Sequence, residues 1–408
     1  MESENRLKKL ILFFILTMST GVIYKLPYIQ DVFYVPTQQS LKLTHTQIGN
    51  LLSIAGLVST FGFLGSIYFI DKISKKILIP LGLIGVGITG LCLYTFPSYK
   101  VLILIWISFA IFSDMLYWPV LVKTVKELGS EKSQGRIFGF FEAGRGLFDS
   151  IVVFIALTLF SITSSLNNVI LFYSITAILM GIIAFFVLEN DKPKELNAKS
   201  KNQATFQVIK LKEVWLVAGN IFCSYAIYCG LTYMMPFLQN TFSISVVLVG
   251  FYGMINQYGI KMLAGPLGGY LADKKFKSPS KYFRFSFILV IAIMILMIFV
   301  PHNKIGIEIG LILVILFSTL VSSMKAILFA PMQEIKIDES MSGAAISLAS
   351  FIGYSPLIFC YSLYGNILDK YQGLYGYKIL FSIIIAFGIL GLLINNKLNK
   401  VVQSKNNI

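Results

Sequence analysis

The chain has 408 residues, of which 56% are hydrophobic and 13% are charged, and its formal net charge is +15. Its mean hydropathy is +0.77. This is too little charge to cover a water-soluble globule of this length. The apolar residues come in runs of roughly twenty, the length at which an α-helix crosses about 30 Å of hydrocarbon. The composition therefore excludes an ordinary soluble domain, and the continuous runs predict an all-α membrane protein instead of a β-barrel.

Twelve transmembrane helices are predicted, in two sets of six. The first set lies near Leu10 to Tyr34, Ile48 to Ile70, Ile77 to Phe96, Val101 to Val122, Ile137 to Phe160 and Val169 to Leu188. The second set lies near Val214 to Leu238, Val246 to Leu271, Phe285 to Val300, Ile309 to Ala330, Ala344 to Ile367 and Gly376 to Ile394. We therefore expect an N-terminal bundle over residues 1–188, a cytoplasmic linker over 189–212, a C-terminal bundle over 213–396 and a cytoplasmic tail over 397–408.

The positive charge is concentrated in alternate loops. These loops contain Lys8 and Lys9; Lys72, Lys75 and Lys76; Lys126, Lys132 and Arg136; and Lys274, Lys275, Lys277, Lys281 and Arg284. By the positive-inside rule these loops and both termini are cytoplasmic. The charge thus needs no nucleic-acid partner to explain it, and the expected surroundings are the lipids of a bacterial inner membrane. The first apolar stretch is longer than a signal-peptide core, so we expect it to be retained.

An aspartate followed by basic residues closes a helix twice, about half a chain apart. The later copy runs from Gly269 to Lys275 and contains Gly-Tyr-Leu-Ala-Asp; the earlier copy runs from Ile67 to Lys72. Pro119 and Pro331 recur at nearly the same separation. The later copy resembles the signature loop of the major facilitator superfamily. This resemblance covers essentially the whole chain and implies a transporter of two six-helix bundles related by pseudo-two-fold symmetry.

Further motifs resemble a branch of that superfamily related to organophosphate and organic-anion carriers. They are Trp118-Pro119, Gly129-Ser130-Glu131, Gly135-Arg136, Glu142-Ala143-Gly144-Arg145-Gly146 and Gly353-Tyr354-Ser355-Pro356. Leu357 stands where that branch leads us to expect an acidic residue. In related phosphate-ester carriers a basic residue of the first helix faces the central site, and Lys25 is similarly placed.

Ionisable residues at membrane depth need a reason, because each costs at least about 2.5–3.5 kcal/mol unless it is partnered. Lys25, Asp114, Lys261 and Lys325 lie about 20–24 Å along their predicted spans. Asp114 is the one evident opposite charge for the three lysines, so we expect a positive central cavity that binds an anion. The alternative is that each lysine snorkels to an interface or bonds backbone carbonyls.

Neutral hydrogen-bonding side chains add to the predicted substrate site, as midplane sites between repeats require. The predicted set is Lys25, Lys261 and Lys325 with Tyr24, Tyr28, Asn256 and Gln257. Asn220, Tyr228 and Tyr258 are further candidates. Aromatic packing explains most of these residues equally well.

Glu142, Arg145 and Asp149 have spacings of three and four, which place them on one helical face where they neutralise one another. They form either a structural cluster or a gate or proton relay. Together with Asp114 they are the candidates for proton coupling or charge balance. We favour coupling to protons over exchange of one anion for another, which needs no acidic relay.

The predicted cytoplasmic gate contains Asp71 and Lys72 in one half, Asp273 and Lys274 in the other, and Arg136. The resemblance implies that Asp71 and Asp273 cap helix ends or pair with cations such as Arg136. Breaking these contacts is expected to favour the inward-open state.

The function predicted from these features is secondary transport of a small organic anion, a phosphate ester or carboxylate, by a functional monomer. No ATP-binding motif occurs in the sequence, and its two histidines lie far from any carboxylate cluster, so no cofactor or metal is expected. A carrier of neutral sugars or drugs on the same fold is the alternative, with the lysines in internal bridges. An embedded enzyme and a sensor without flux are disfavoured, because paired catalytic acids and a signalling domain are both missing from the sequence.

Overall fold

The structure is a computed structural model that describes residues 2–66, 73–128, 134–190, 208–301, 304–337 and 339–406. Within these ranges every regular element is a helix. The first half contains α1 (Glu2–Ile23), α2 (Gln30–Ser40), α3 (His45–Ser66), α4 (Lys75–Tyr94), α5 (Tyr99–Ala110), the π-helix π1 (Ile111–Tyr117), α6 (Trp118–Glu127), α7 (Gln134–Thr163) and α8 (Leu166–Val187).

The second half begins with α9 (Lys212–Cys229), a 3₁₀ turn (Gly230–Tyr233), α10 (Met234–Phe242), α11 (Val246–Met254), π2 (Ile255–Gly259), α12 (Ile260–Tyr270) and π3 (Leu271–Lys275). It continues with α13 (Pro279–Ile298), α14 (Lys304–Ala326), α15 (Ala330–Glu334), α16 (Glu339–Tyr354), α17 (Pro356–Lys370) and α18 (Leu374–Asn406). In the described part of the chain, nine helices are long and apolar enough to cross a membrane, and two shorter apolar helices accompany them. This is consistent with the predicted number of about twelve.

The chain divides into two compact units. The first unit comprises Met1–Leu43, Ile54–Leu196 and Ser245–Met262; the second comprises Thr44–Ser53, Asn197–Ile244 and Leu263–Ile408. In the first unit α4 packs along α8, and α1 packs on α7 and α8. In the second unit α13 packs along α18, and α9 packs on α16 and α18.

A ladder of buried amides holds the helices of the second unit together. The Asn395 amide donates to the Asn220 side chain at 3.3 Å, and the Asn399 amide donates to the Asn395 side chain at 2.8 Å and to the Ser280 carbonyl at 3.2 Å. Such bonds satisfy polar groups that lipid cannot. Asn220, a candidate substrate contact from the sequence, therefore bridges α9 and α18.

Prolines accompany breaks in three of the spans that the sequence predicts as continuous helices. Residues 24–29 form turns between α1 and α2, and Pro27 lies within them. The tenth span ends at Ala326 and resumes as α15, whose first turn contains Pro331. The eleventh span is divided between α16 and α17, where Pro356 begins the second helix. Proline causes these breaks because it has no backbone donor and its ring clashes with the preceding turn.

The fourth and eighth spans are irregular in a different way. The fourth contains π1, and the eighth contains both π2 and π3. A π-turn inserts an extra residue into the helix and is frequent at functional sites. The last helix is longer than predicted, because α18 continues to Asn406 whereas the predicted span ends at Ile394.

Glycines allow close contacts between helices at several positions. A Cβ on Gly82 would lie 2.8 Å from the Phe112 carbonyl oxygen, and one on Gly268 would lie 2.6 Å from the Ser323 carbonyl oxygen. Gly269 makes no such contact, because a Cβ there would meet nothing within 4 Å. Neighbouring glycines of one helix thus differ in whether they contact another helix.

Replacing Gly268 by alanine is expected to destabilise the protein by about 1–3 kcal/mol, because the new methyl group meets a backbone oxygen that cannot rotate away. Its neighbour provides a matched control. Gly269→Ala enters open space in the same helix and is expected to be neutral or stabilising by up to about 1 kcal/mol, since alanine is the better helix former. Thermal unfolding of both variants in detergent checks this, and equal midpoints would contradict the contact.

Candidate functional site

A buried ion pair lies at the break in the first span. Lys25 lies two residues after the end of α1, and its ammonium contacts the Asp149 carboxylate of α7. The two residues are 2% and 6% exposed. Lys25 lies in this break because residues 24–29 form turns before α2 begins.

Arg145 joins this pair to a second carboxylate. Its guanidinium lies 3.4 Å from Glu142 and 3.7 Å from Asp149. The predicted contact of these three side chains along one face of α7 is confirmed. The guanidinium also lies 5.8 Å from the centroid of the Tyr24 ring and 5.5 Å from that of Trp118. Two aromatic faces therefore orient a cation that contacts both carboxylates.

This arrangement corrects the expected charge balance of the central lysines. Asp114 was expected to be the one evident opposite charge for Lys25, but Asp149 contacts that lysine directly. The spacing along α7 predicts the contacts of Asp149 within that helix and cannot reveal a partner on another helix. Lys25 is thus charge-balanced in this structure.

Asp114 lies in π1, where the extra residue of the π-turn alters the direction of the side chains. It is 9% exposed, and the Ser59 hydroxyl donates to its carboxylate. In the same segment the Tyr117 hydroxyl lies 2.7 Å from the Ser19 hydroxyl and 2.8 Å from that of Thr20. These bonds attach the irregular fourth span to α1 and α3.

Asn256 and Gln257 lie in π2, which belongs to the first unit and packs on α7. They are 2% and 5% exposed, and in the described part of the chain the Asn256 side-chain oxygen has no hydrogen-bond partner. A buried acceptor of this kind is a place for a water or a ligand donor. The side chain of Lys261 lies outside the described residues. Tyr24 and Tyr28, the remaining predicted neutral groups, have ring centroids 6.1 Å apart.

The second unit contains a cavity of about 660 Å³. Lys325 lines it from the last turn of α14, where the helix dipole favours a cation. The ammonium lies 3.9 Å from the centroid of the Tyr228 ring and 5.5 Å from that of Tyr225. Lys336 also lines the cavity, and no aspartate or glutamate occurs among its described lining residues. The described lining of this cavity thus contains two lysines.

The predicted gate is partly outside the described structure. Asp71 and Lys72 lie outside the described residues, as does the side chain of Arg136. Asp273 and Lys274 lie in π3 and are exposed. The proposed pairing across the gate therefore stays a prediction.

Several residues at these sites are not predicted from the sequence. Ser59, which donates to Asp114, carries no signal of its own in the sequence. Tyr225 and Tyr354 line the cavity with ring centroids 4.6 Å apart. Tyr354 lies in the Gly-Tyr-Ser-Pro motif that supported the family resemblance, and Tyr225 lies one helical turn from Tyr228. Helical spacing could therefore have linked the two tyrosines that contact Lys325.

Lys25, Glu142, Arg145 and Asp149 form an ion cluster in the first unit. A multi-pass helical fold with broken spans, such a cluster and a cavity lined by lysines is typical of a membrane carrier. The sequence profile of the Major Facilitator Superfamily matches residues 10–359. The chain therefore belongs to this superfamily, as the repeated aspartate motif predicted.

The chain is 44% identical to inner membrane protein YihN of Escherichia coli (strain K12), over 98% of this chain and 97% of that relative. Its fold is similar to the crystal structure of nucleoside transporter NupG, with a TM-score of 0.72 and 12% identity over 97% of this chain and 98% of that one. It is also similar to an inward-facing bacterial homologue of the human lysosomal transporter Spinster, with a TM-score of 0.72 and 15% identity over 97% of both chains. These comparisons support a transporter fold in the inner membrane.

The Lys25–Asp149 pair makes a strong prediction about stability. Lys25→Gln removes the closer of the two cations that contact the buried Asp149 carboxylate, leaving Arg145 at 3.7 Å, and is expected to cost up to about 3–5 kcal/mol. Lys25→Gln combined with Asp149→Asn is expected to recover most of that loss, because neither buried charge is then left uncompensated. A double-mutant cycle on thermal unfolding in detergent measures the coupling.

The pair of Lys75 and Glu127 is the control for this cycle. Its atoms are 3.1 Å apart, and its side chains are 14% and 41% exposed. Its coupling is expected to be about 0–1 kcal/mol. A Lys25–Asp149 coupling no larger than this would show that the buried pair does not stabilise the first unit.

Proposed function

We propose that this protein is a secondary active transporter that moves a small organic anion, a phosphate ester or carboxylate, across the inner membrane by alternating access. The observation that carries the proposal is the exposed Lys325 in the cavity of the second unit. The protein acts as a monomeric carrier, not an enzyme, with protons as the coupling ion.

The electrostatics of the cavity support an anionic substrate. Lys325 and Lys336 both line it, and its described lining contains no carboxylate that would reduce their potential. The rings of Tyr225 and Tyr228 hold the Lys325 ammonium through cation–π contacts. A cation held in one orientation loses little further entropy when an anion binds.

The broken helices support transport. Lys25 and Lys325 lie at the breaks in the first and tenth spans, where the backbone leaves its regular hydrogen bonding. In secondary transporters, discontinuous helices of this kind supply the substrate and ion sites. The same turns allow helix segments to change direction during the transport cycle.

The ion cluster of the first unit supports proton coupling. Glu142 has a side chain that is 57% exposed, whereas Asp114 is buried. Both carboxylates face cations or hydroxyl groups that could respond to a change in protonation. The exposed Asp273 and Lys274 would form part of a cytoplasmic gate with Asp71 and Arg136.

A neutral substrate, such as a sugar or drug, is the second candidate. The contact between Lys25 and Asp149 favours it, because this lysine already has a carboxylate partner. In this alternative the buried charges of the first unit have a structural role. The two candidates differ in whether Lys325 contacts the substrate.

Lys325→Gln is expected to abolish stabilisation by anions. A ligand at a hundred times its Kd adds about 2.7 kcal/mol to the free energy of unfolding, and the variant lacks the charge that binds it. The measurement is thermal unfolding of purified protein against matched panels of phosphate esters, carboxylates and neutral compounds.

Lys370→Gln is the matched control, because the Lys370 ammonium also lies over a tyrosine ring, 5.4 Å from the centroid of Tyr371. It should leave anion binding unchanged, since Lys370 is not a lining residue of the cavity. Stabilisation by neutral compounds that survives in Lys325→Gln would overturn the anion site and favour the second candidate.

An imposed pH gradient is expected to drive uptake of the anion into proteoliposomes. Glu142→Gln or Asp114→Asn should remove this response while exchange of labelled for unlabelled anion continues, because exchange needs no net proton movement. Glu127→Gln, a change in the exposed pair with Lys75, serves as the control and should keep the response. Uptake that ignores the pH gradient in the unaltered protein would exclude proton coupling.

A further inference from the structure

The lining of the cavity in the second unit also indicates the chemistry of the uncharged part of its ligand, here called the ligand body. We propose that the anion bound there is amphiphilic: a carboxylate or phosphate ester on an aromatic or aliphatic body, and not a polyhydroxylated one. This inference rests on the proposed function, because it assigns a substrate class to the same site.

Apolar side chains form most of the wall. Beyond the cations, the cavity is lined by Ile327, Leu328, Phe329, Met332, Ile337 and Ile346. A volume of about 660 Å³ is within the usual range of small-molecule sites, about 300–1,000 Å³. The wall therefore offers an apolar ligand body extensive contact and removes it from water.

Aromatic rings lie close to the cation. The rings of Tyr225 and Tyr354 have centroids 4.6 Å apart with an interplanar angle of 59°, and Phe329 lies 6.3 Å from Tyr354. Such a cluster presents ring faces and edges to a flat ligand. Lys325, next to Tyr225, supplies the charge at one end of this apolar surface.

Polar groups are too few for a ligand with many hydroxyls. Apart from the tyrosines, the polar lining side chains are Lys325, Gln333 and Lys336. The Lys336 ammonium already donates to the Lys405 carbonyl at 3.0 Å. A polyhydroxylated ligand would lose hydrogen bonds to water that this wall does not replace. A wall with two cations and otherwise mainly apolar side chains therefore selects against such ligands.

The test compares ligands that share a charged group and differ in the body. Phenyl phosphate is paired with glycerol 3-phosphate, and 3-phenylpropionate is paired with gluconate. Thermal unfolding of the full-length protein in detergent measures each affinity, and 3-phenylpropanol controls for binding of the apolar body alone. We expect the apolar member of each pair to bind at least about tenfold more tightly, with the alcohol showing no comparable binding.

Two variants separate the role of the wall from that of the charge. Ile346→Gln places a polar group on the wall at a side chain that is 40% exposed, so the fold should tolerate it. It is expected to weaken phenyl phosphate binding several-fold and leave glycerol 3-phosphate unchanged. Lys325→Gln should weaken both phosphate esters.

Tighter binding of glycerol 3-phosphate and gluconate, or equal affinity within each pair, would overturn the amphiphilic class and leave an anion carrier in place. Binding of the alcohol with no binding of any anion would overturn the proposed function and this inference together. Stabilisation by dihexanoyl phosphatidylglycerol with none by phenyl phosphate or 3-phenylpropionate, lost in Lys325→Gln, would assign the cavity to a membrane lipid and overturn the inference that it binds a small amphiphilic solute.

Discussion

The cost of placing a charge in hydrocarbon governs the arrangement of this protein more than any other constraint. An unpartnered lysine at membrane depth is expensive, so Lys25 has a carboxylate partner in Asp149 and Lys325 has aromatic ones in Tyr228 and Tyr225. The two kinds of partner differ in charge. The Asp149 carboxylate carries a negative charge that balances Lys25, whereas the tyrosine rings beside Lys325 are neutral. Under the proposed function, this contrast is the reason for assigning the anion to the cavity of the second unit and not to the ion cluster.

Polar residues of the candidate sites lie in turns and π-helices. Lys25 lies in the turns between α1 and α2, Asp114 lies in π1, and Asn256 and Gln257 lie in π2. A regular helix directs side chains at fixed angles and leaves no backbone groups for neighbours or ligands. Turns and π-helices change the direction of side chains and leave backbone groups without a partner in the helix. They occur in a membrane where protein or water covers the exposed backbone. The residues of the candidate sites therefore lie where the helices are irregular.

Much of the fold could be predicted because hydrophobic length and charge asymmetry are local properties. The superfamily followed from Asp273 and its basic neighbours, and the contacts of Arg145 followed from helical spacing. The partner of Lys25 could not be predicted, since Asp149 lies 124 positions away on another helix. The breaks at Pro27 and Pro331 were missed because hydropathy averages over a window and takes no account of one missing donor. The aromatic wall beside Lys325 needed the same knowledge of which helices face each other.

Pairing within the ion cluster also determines how the membrane potential acts on the transport cycle. Lys25 and Arg145 carry two positive charges, and Glu142 and Asp149 carry two negative ones, so the formal charge of these four residues is zero. Each uncompensated elementary charge that moves across the field would add or subtract about 2.3 kcal/mol per 100 mV. Because the four charges sum to zero, a displacement of the whole cluster across the field would add no such energy. Under the proposed function the voltage then acts chiefly on the solute and its coupled proton, and a monoanion carried with one proton crosses without net movement of charge.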